Sequence, residues 1–95
     1  MAELTVSDTG TAYEARTPEG AVAGAAFYER AGAVVVFTHT EVEPAFEGQG
    51  VGSRIVRAAL DDVREKGQRV RPLCPFVKGW IDKHPDYADL LVSPE

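Results

Sequence analysis

Three glycines fall within five positions in Glu47-Gly48-Gln49-Gly50-Val51-Gly52-Ser53, between a β-branched stretch and a helical one. Glycines at this spacing let the backbone approach a ligand closely, and the free N–H groups of a helix start point at that ligand. The loop is therefore an anion site suited to a phosphate or pyrophosphate. Two rival loops fail on spacing. A Walker A loop needs Lys after its last Gly, where Ser53 stands, followed by Arg54. The dinucleotide fingerprint is G-x-G-x-x-G, whereas this loop runs G-x-G-x-G. A tight strand-to-helix turn that binds nothing also accounts for the glycines.

Two other residues have side chains that can move protons or act as nucleophiles. His39 lies near the polar end of an apolar stretch and suits a general base, since an imidazole titrates near neutrality. Cys74 is followed by Pro75. A thiol can give a proton or act as a covalent nucleophile. Each has a structural alternative: a hydrogen-bonded histidine that orders its strand, and a small buried core cysteine. Glu41 alternates onto the face of His39 and could act through a water or remain a solvated carboxylate. Phe76, Trp80 and Tyr87 could line a ligand groove or belong to the core. Arg54, Lys78 and Lys83 could meet outer phosphates or sit in solvent.

Composition narrows the classes. Ninety-five residues, residues 1–95, suit one domain with a simple core. No apolar run is long enough to span a bilayer, and Met1-Ala2-Glu3 does not open a secretory signal. A single cysteine excludes an internal disulfide and a multi-cysteine zinc site, so no metal is expected; it fits a reducing compartment, and a cytoplasmic location is expected. The net charge of −5 argues against a nucleic-acid partner and favours a cationic one, such as an amine or a basic peptide.

These residues need a scaffold. Leu4 to Ser7, Thr11 to Arg16, Ala21 to Glu29 and Ala33 to Val42 read as strands. Asp8-Thr9-Gly10, Thr17-Pro18-Glu19-Gly20 and Arg30-Ala31-Gly32 separate them as turns. The alanines weaken the third strand. The fourth starts apolar on both alternating faces, which predicts cover on both sides. Ile55, Val56, Ala59, Leu60 and Val63 recur at helical spacing, and Gly67 stops the helix. Gln68 to Leu73 reads as a strand ended by Pro75, Val77 to Lys83 as a helix, and Asp86 to Leu91 as a last helical turn. Strand, glycine loop, helix, strand is a crossover that makes its two strands parallel. Strands joined by tight turns are antiparallel, so the expected class is α/β (α+β) with a mixed, mainly antiparallel sheet.

With these motifs in place, the chain resembles the GNAT superfamily of N-acetyltransferases. That family's pyrophosphate motif is Arg/Gln-x-x-Gly-x-Gly/Ala, and Glu47, Gly50 and Gly52 fall on its defined positions. Both glycines match; Glu47 puts a carboxylate where a basic or amide side chain is usual. Phe37-Thr38-His39-Thr40-Glu41-Val42, Leu73-Cys74-Pro75-Phe76-Val77, and His84-Pro85-Asp86-Tyr87 with Asp89-Leu90 look like blocks of its small single-domain, YidJ-like branch.

The resemblance implies a splayed parallel pair joined by the crossover helix, with the pantetheine arm of coenzyme A between the strands. It implies acetyl-CoA as cosubstrate and a primary amine as acceptor. Val42, Gly48, Gln49, Gly50, Val51, Gly52 and Ser53 would hold the cofactor, with a strand-end N–H for the oxyanion. His39 and Cys74 would be the catalytic pair, Cys74 lying near the thioester, either to protonate the departing thiolate or to take the acyl group itself by thioester exchange. Larger members carry two helices between their first strands, for which this chain has no room. One wall of the acceptor site is then missing or comes from another subunit, so an oligomer is an open expectation. A non-catalytic acyl-CoA-binding module is the alternative function.

Overall fold

In the computed structural model, which describes residues 3–92, five strands form one sheet in the order β1-β2-β3-β4-β5. They are β1 (Thr5–Asp8), β2 (Ala12–Arg16), β3 (Val22–Ala31), β4 (Val34–Val42) and β5 (Arg69–Pro72). The first four pair antiparallel through tight turns. Helix α1 (Val51–Glu65) crosses over to bring β5 parallel to β4, as the sequence predicts. Helix α2 (Pro75–Lys83) follows, then a 3₁₀ helix over Pro85–Leu90. Residues 1–2 and 93–95 lie outside the described residues, and with them the reading of Met1-Ala2.

The strands expected in the first half all form, with ends shifted by one or two residues. β3 runs on through Ala31, because the reversal needs only Gly32 and Ala33, with Gly32 at φ 64°. The last turn of helix begins at Pro85 and is 3₁₀ throughout. The alanines that weaken β3 as a strand have a packing reason. Ala23 and Ala26 are fully buried, and a Cβ on Gly24 would lie 2.7 Å from the Glu41 carbonyl oxygen and 3.2 Å from Ile55 Cδ1. Small residues here let α1 seat closely on the sheet.

One core fills the helical side of the sheet. Tyr13, Tyr28, Val35 and Phe37 meet Ile55, Leu60 and Val63 of α1 and Val77 and Ile81 of α2. The expectation that β4 is covered on both sides is not met. Val35 and Phe37 are buried, whereas Val34 and Val36 are only half-buried. Both helices follow β4 in the chain and pack on the same side. On the other side Val34 and Val36 stand opposite Arg69 and Arg71, whose stems give partial shelter.

The turn at Asp8 is tied to the end of α1 by charge. Asp8 accepts from the Tyr28 hydroxyl, the Gly10 N–H (2.9 Å) and Lys66 Nζ (3.3 Å). Asp62 accepts from the Tyr13 hydroxyl at 2.7 Å and pairs with Lys66 Nζ at 2.9 Å. Lys66 and Tyr13 hold Asp62 below its ordinary value. At Asp8 burial acts in the opposite sense, but the bonds from Tyr28, Gly10 and Lys66 outweigh it and lower the group. Both carboxyls are depressed on folding, so their stabilisation is present above the unfolded value of about 4 and is lost as pH falls through the folded values. Asp62→Asn should therefore cost about 1 kcal/mol at neutral pH and less at pH 2. Urea midpoints at the two pH values check this, and an equal cost at both would refute the charge account.

Candidate functional site

The site lies where β4 and β5 part. Their parallel register ends at Phe37↔Pro72, and the Phe37 carbonyl accepts from both Leu73 and Cys74 N–H at 3.0 Å. Beyond that point β4 continues to Val42 with no strand on its β5 edge among the described residues, while the chain after Leu73 turns into α2. The Glu43 N–H donates to Ala23 on the β3 side at 2.9 Å. Alternation along the strand turns the backbone groups of Val42 to the opposite edge, into the gap.

A bulge decides which side chains face which way. Phe27 pairs with His39 and Tyr28 with Phe37, which leaves Thr38 without a partner. Val35 and Phe37 face the helices before the bulge; Thr40 and Val42 do so after it. His39 and Glu41 share a face as expected, and the bulge makes it the open one. His39 Nε2 is 3.0 Å from Glu41 Oε2, its ring stacks on Phe27 at 6.1 Å, and it is more than half exposed.

After β4 a 3₁₀ turn at Pro44–Phe46 leads into the glycine loop. Gly48 and Gly50 take left-handed φ values of 82° and 75°, which β-carbon-bearing residues adopt at a cost. Gly50 stands immediately before α1, and no side chain caps that helix. Arg54 N–H donates to Gly50 O at 3.1 Å. The N–H groups of Val51, Gly52 and Ser53 precede it and point out of the helix end. They open on a cavity of about 400 Å³ lined by Thr40, Val42, Phe46, Phe76, Glu47 and the loop. Positive helix-end dipole, three backbone donors and apolar walls fit a pyrophosphate carrying a flexible, largely apolar arm. Glu47 is the one charged side chain on the lining and opposes an anion.

Of the residues expected at a cofactor, Val42, Gly48, Gly50, Val51, Gly52 and Ser53 line this cavity. Gln49 does not; its amide turns back toward the Ala45 carbonyl at 3.5 Å. The Ser53 hydroxyl oxygen accepts from Trp80 Nε1 at 2.8 Å, which fixes α2 against the start of α1. Trp80 and Tyr87 are core residues, whereas Phe76 is half-exposed at the cavity mouth. Lys78 pairs with Asp82 at 2.9 Å, and Lys83 lies in the last turn of α2, away from Phe76.

Cys74 is 3 % exposed, and its Sγ lies 3.3 Å from Thr40 Oγ1 across the gap. His39 and Cys74 are thus on opposite sides of β4 and have different partners. Thr40 and Phe46 belong to the site and are not singled out by sequence reasoning. Alternation against His39 could have pointed to Thr40. Nothing in the sequence marks Phe46, which depends on the 3₁₀ turn. A second hollow, about 580 Å³, lies over Asp8, Tyr13 and Asp62, away from the glycine loop. Among the described residues no group of three or more potential metal ligands comes together, and no helix is long and apolar enough to cross a membrane.

The description GCN5-related N-acetyl-transferase belongs to the family profile that matches residues 12–90. Protein NATD1 of Bos taurus is 34% identical over 59 residues, covering 61% of this chain and 52% of that protein. Protein NATD1 of Homo sapiens is 32% identical over 59 residues, covering 61% and 52%. The chain thus spans about half the length of these curated relatives. Among solved structures, a GCN5-like N-acetyltransferase candidate from Staphylococcus aureus superposes with a TM-score of 0.74 at 23% identity, over 100% of this chain and 94% of that one. Nourseothricin acetyltransferase superposes with a TM-score of 0.52 at 24% identity, over 68% and 41%. At these identities the two structures speak for the fold.

Proposed function

The chain belongs to the GCN5-related N-acetyltransferase family, and from that premise we propose that it moves the acetyl group of acetyl-CoA to a primary amine, such as a lysine of a protein or peptide. The observation that carries this reading is the uncapped start of α1, with left-handed Gly48 and Gly50, opening on an apolar cavity at the parting of β4 and β5.

Each residue has a task. Val51, Gly52 and Ser53 N–H groups hold the pyrophosphate, which needs no side-chain cation and so tolerates Glu47. Val42, Phe46 and Phe76 hold the pantetheine arm. Val42 N–H, turned into the gap, supports the oxyanion of the tetrahedral intermediate. Cys74, with Thr40 beside it, supplies the proton of the departing thiol. His39, set by Glu41 and Phe27, takes the proton of the amine. The acceptor then approaches from the sheet face that carries no helix among the described residues. A net charge of −5 and the carboxylate of Glu41 favour a cationic acceptor there. A free cysteine fits a cytoplasmic setting.

The test is a calorimetric titration with acetyl-CoA, followed by an assay of free thiol release with a lysine-containing peptide. Binding and turnover are expected. Binding without turnover on any amine would leave an acyl-CoA-binding module, and no binding would overturn the reading altogether.

A further inference from the structure

Beside the loop, the exposed side of α1 has a smaller hollow of about 230 Å³, lined by Ser53, Arg54, Arg57, Ala58 and Asp61. It adjoins the loop cavity, because Ser53 lines both. Arg54 and Arg57 are three residues apart and so share a helix face. Neither forms an ion pair with a carboxylate among the described residues, which is true also of Arg69, Arg71 and Lys83, none of which lines this hollow. Arg57 is also held in place. Its guanidinium lies 5.3 Å from the Trp80 ring centre and 5.9 Å from that of Tyr87, and its Nη1 donates to the Tyr87 hydroxyl at 3.5 Å. Asp61 faces the same hollow, with its Oδ1 accepting from the Tyr87 hydroxyl at 2.7 Å.

We propose that this hollow is a subsite for the 3′-phosphate on the adenosine of the donor, with Arg54 and Arg57 as its cations, so that the protein selects coenzyme A over its 3′-dephosphorylated form. This rests on the donor site assigned to the glycine loop. A pyrophosphate at the start of α1 leaves the adenosine to continue outward, and Ser53 is the point where the two hollows meet. The charge pattern supports the assignment. The loop offers Glu47 where a cation would help, and the positive charge stands instead one turn further, on Arg54 and Arg57. A phosphate monoester bears up to two charges and suits two guanidinium groups.

Titration calorimetry with coenzyme A and with 3′-dephospho-coenzyme A tests this on the wild type and on Arg54→Gln/Arg57→Gln. Glutamine keeps a polar side chain without the charge, and a thermal melt checks the fold; Arg54→Gln alone, which leaves the Arg57 guanidinium on Trp80, serves if the double variant melts early. The wild type should prefer coenzyme A by about tenfold or more at low salt, with the preference shrinking as salt rises. The double variant should lose that preference through weaker coenzyme A binding alone, its affinity for the dephosphorylated form being unchanged. Equal wild-type affinities for the two ligands would overturn the subsite while leaving the donor site standing. So would a double variant that weakens both ligands alike, which would indicate a general field. Binding of neither ligand would remove the donor site itself, and the subsite with it.

Discussion

Gly52→Val should lower coenzyme A affinity by at least about a hundredfold while the protein stays folded. Gly52 lies in the first turn of α1 on the cavity lining, among the N–H groups assigned to the pyrophosphate. Its φ is not left-handed, and valine is a better helix former than glycine, so the backbone accepts the change. A Cβ there would stand 2.8 Å from Phe76 Cζ. Phe76 is 46% exposed, so in the free protein its ring can swing outward. What cannot be accommodated is a branched side chain and a phosphate in the same space. Losing two charge-assisted backbone bonds accounts for the expected size of the effect. Gly50→Val should also abolish binding, but for a mixed reason, because at φ 75° any β-carbon costs about 1–2 kcal/mol. Its melting temperature should fall and that of Gly52→Val should not. Calorimetric titration and thermal melts read both quantities. Undiminished affinity in both variants, with the folds intact, would refute the assigned site.

That site was legible in the sequence where local chemistry dictates structure. The glycines announce the loop, the apolar spacing from Ile55 to Val63 announces α1, and the two together force a parallel pair. The bulge at Thr38 was not legible. It arises from the register of β4 against β3, where Tyr28 is buried in the core and Phe27 stays on the open face against His39, and no residue type near Thr38 signals it. Its effect on the candidate site is large, since it turns Thr40 and Val42 toward the loop cavity and His39 and Glu41 to the open face. Arg57 was invisible for a similar reason. Its place beside Trp80 and Tyr87 depends on α2 and the final 3₁₀ helix folding back on α1, a contact between segments far apart in the chain. Phe76 and Trp80 are both aromatics of α2, yet only packing shows that Trp80 is core and Phe76 lines the mouth.

Cys74→Ala and His39→Ala should each lower turnover by about 10²–10⁴-fold, with coenzyme A affinity nearly unchanged. In the proposed reaction the amine nitrogen bonds to the acetyl carbon as the carbon–sulfur bond breaks. His39 takes the proton the amine must lose, and the Cys74 thiol gives its proton to the departing sulfur. Thr40 Oγ1, 3.3 Å from Cys74 Sγ, can return a proton to the cysteine from solvent. The two residues stand on opposite sides of β4, as these separate tasks require: donor sulfur on the helical side, acceptor on the open side. Affinity should hold because the backbone of the loop carries the binding, and neither side chain lines its cavity. His39 is exposed and contacts Phe27 and Glu41, so its removal should leave the melting temperature in place. Cys74 is almost fully buried against Thr40, which leaves no space for an acetyl group on its sulfur unless Thr40 moves. Mass spectrometry of the protein with acetyl-CoA and no acceptor should therefore show no acetyl adduct, and Cys74→Ser should retain part of the activity. An adduct of one acetyl group on Cys74 would make it an acyl carrier in place of an acid. Wild-type turnover in both alanine variants would exclude the pair from the chemistry and leave Glu41, on the open face, as the base to be tested next.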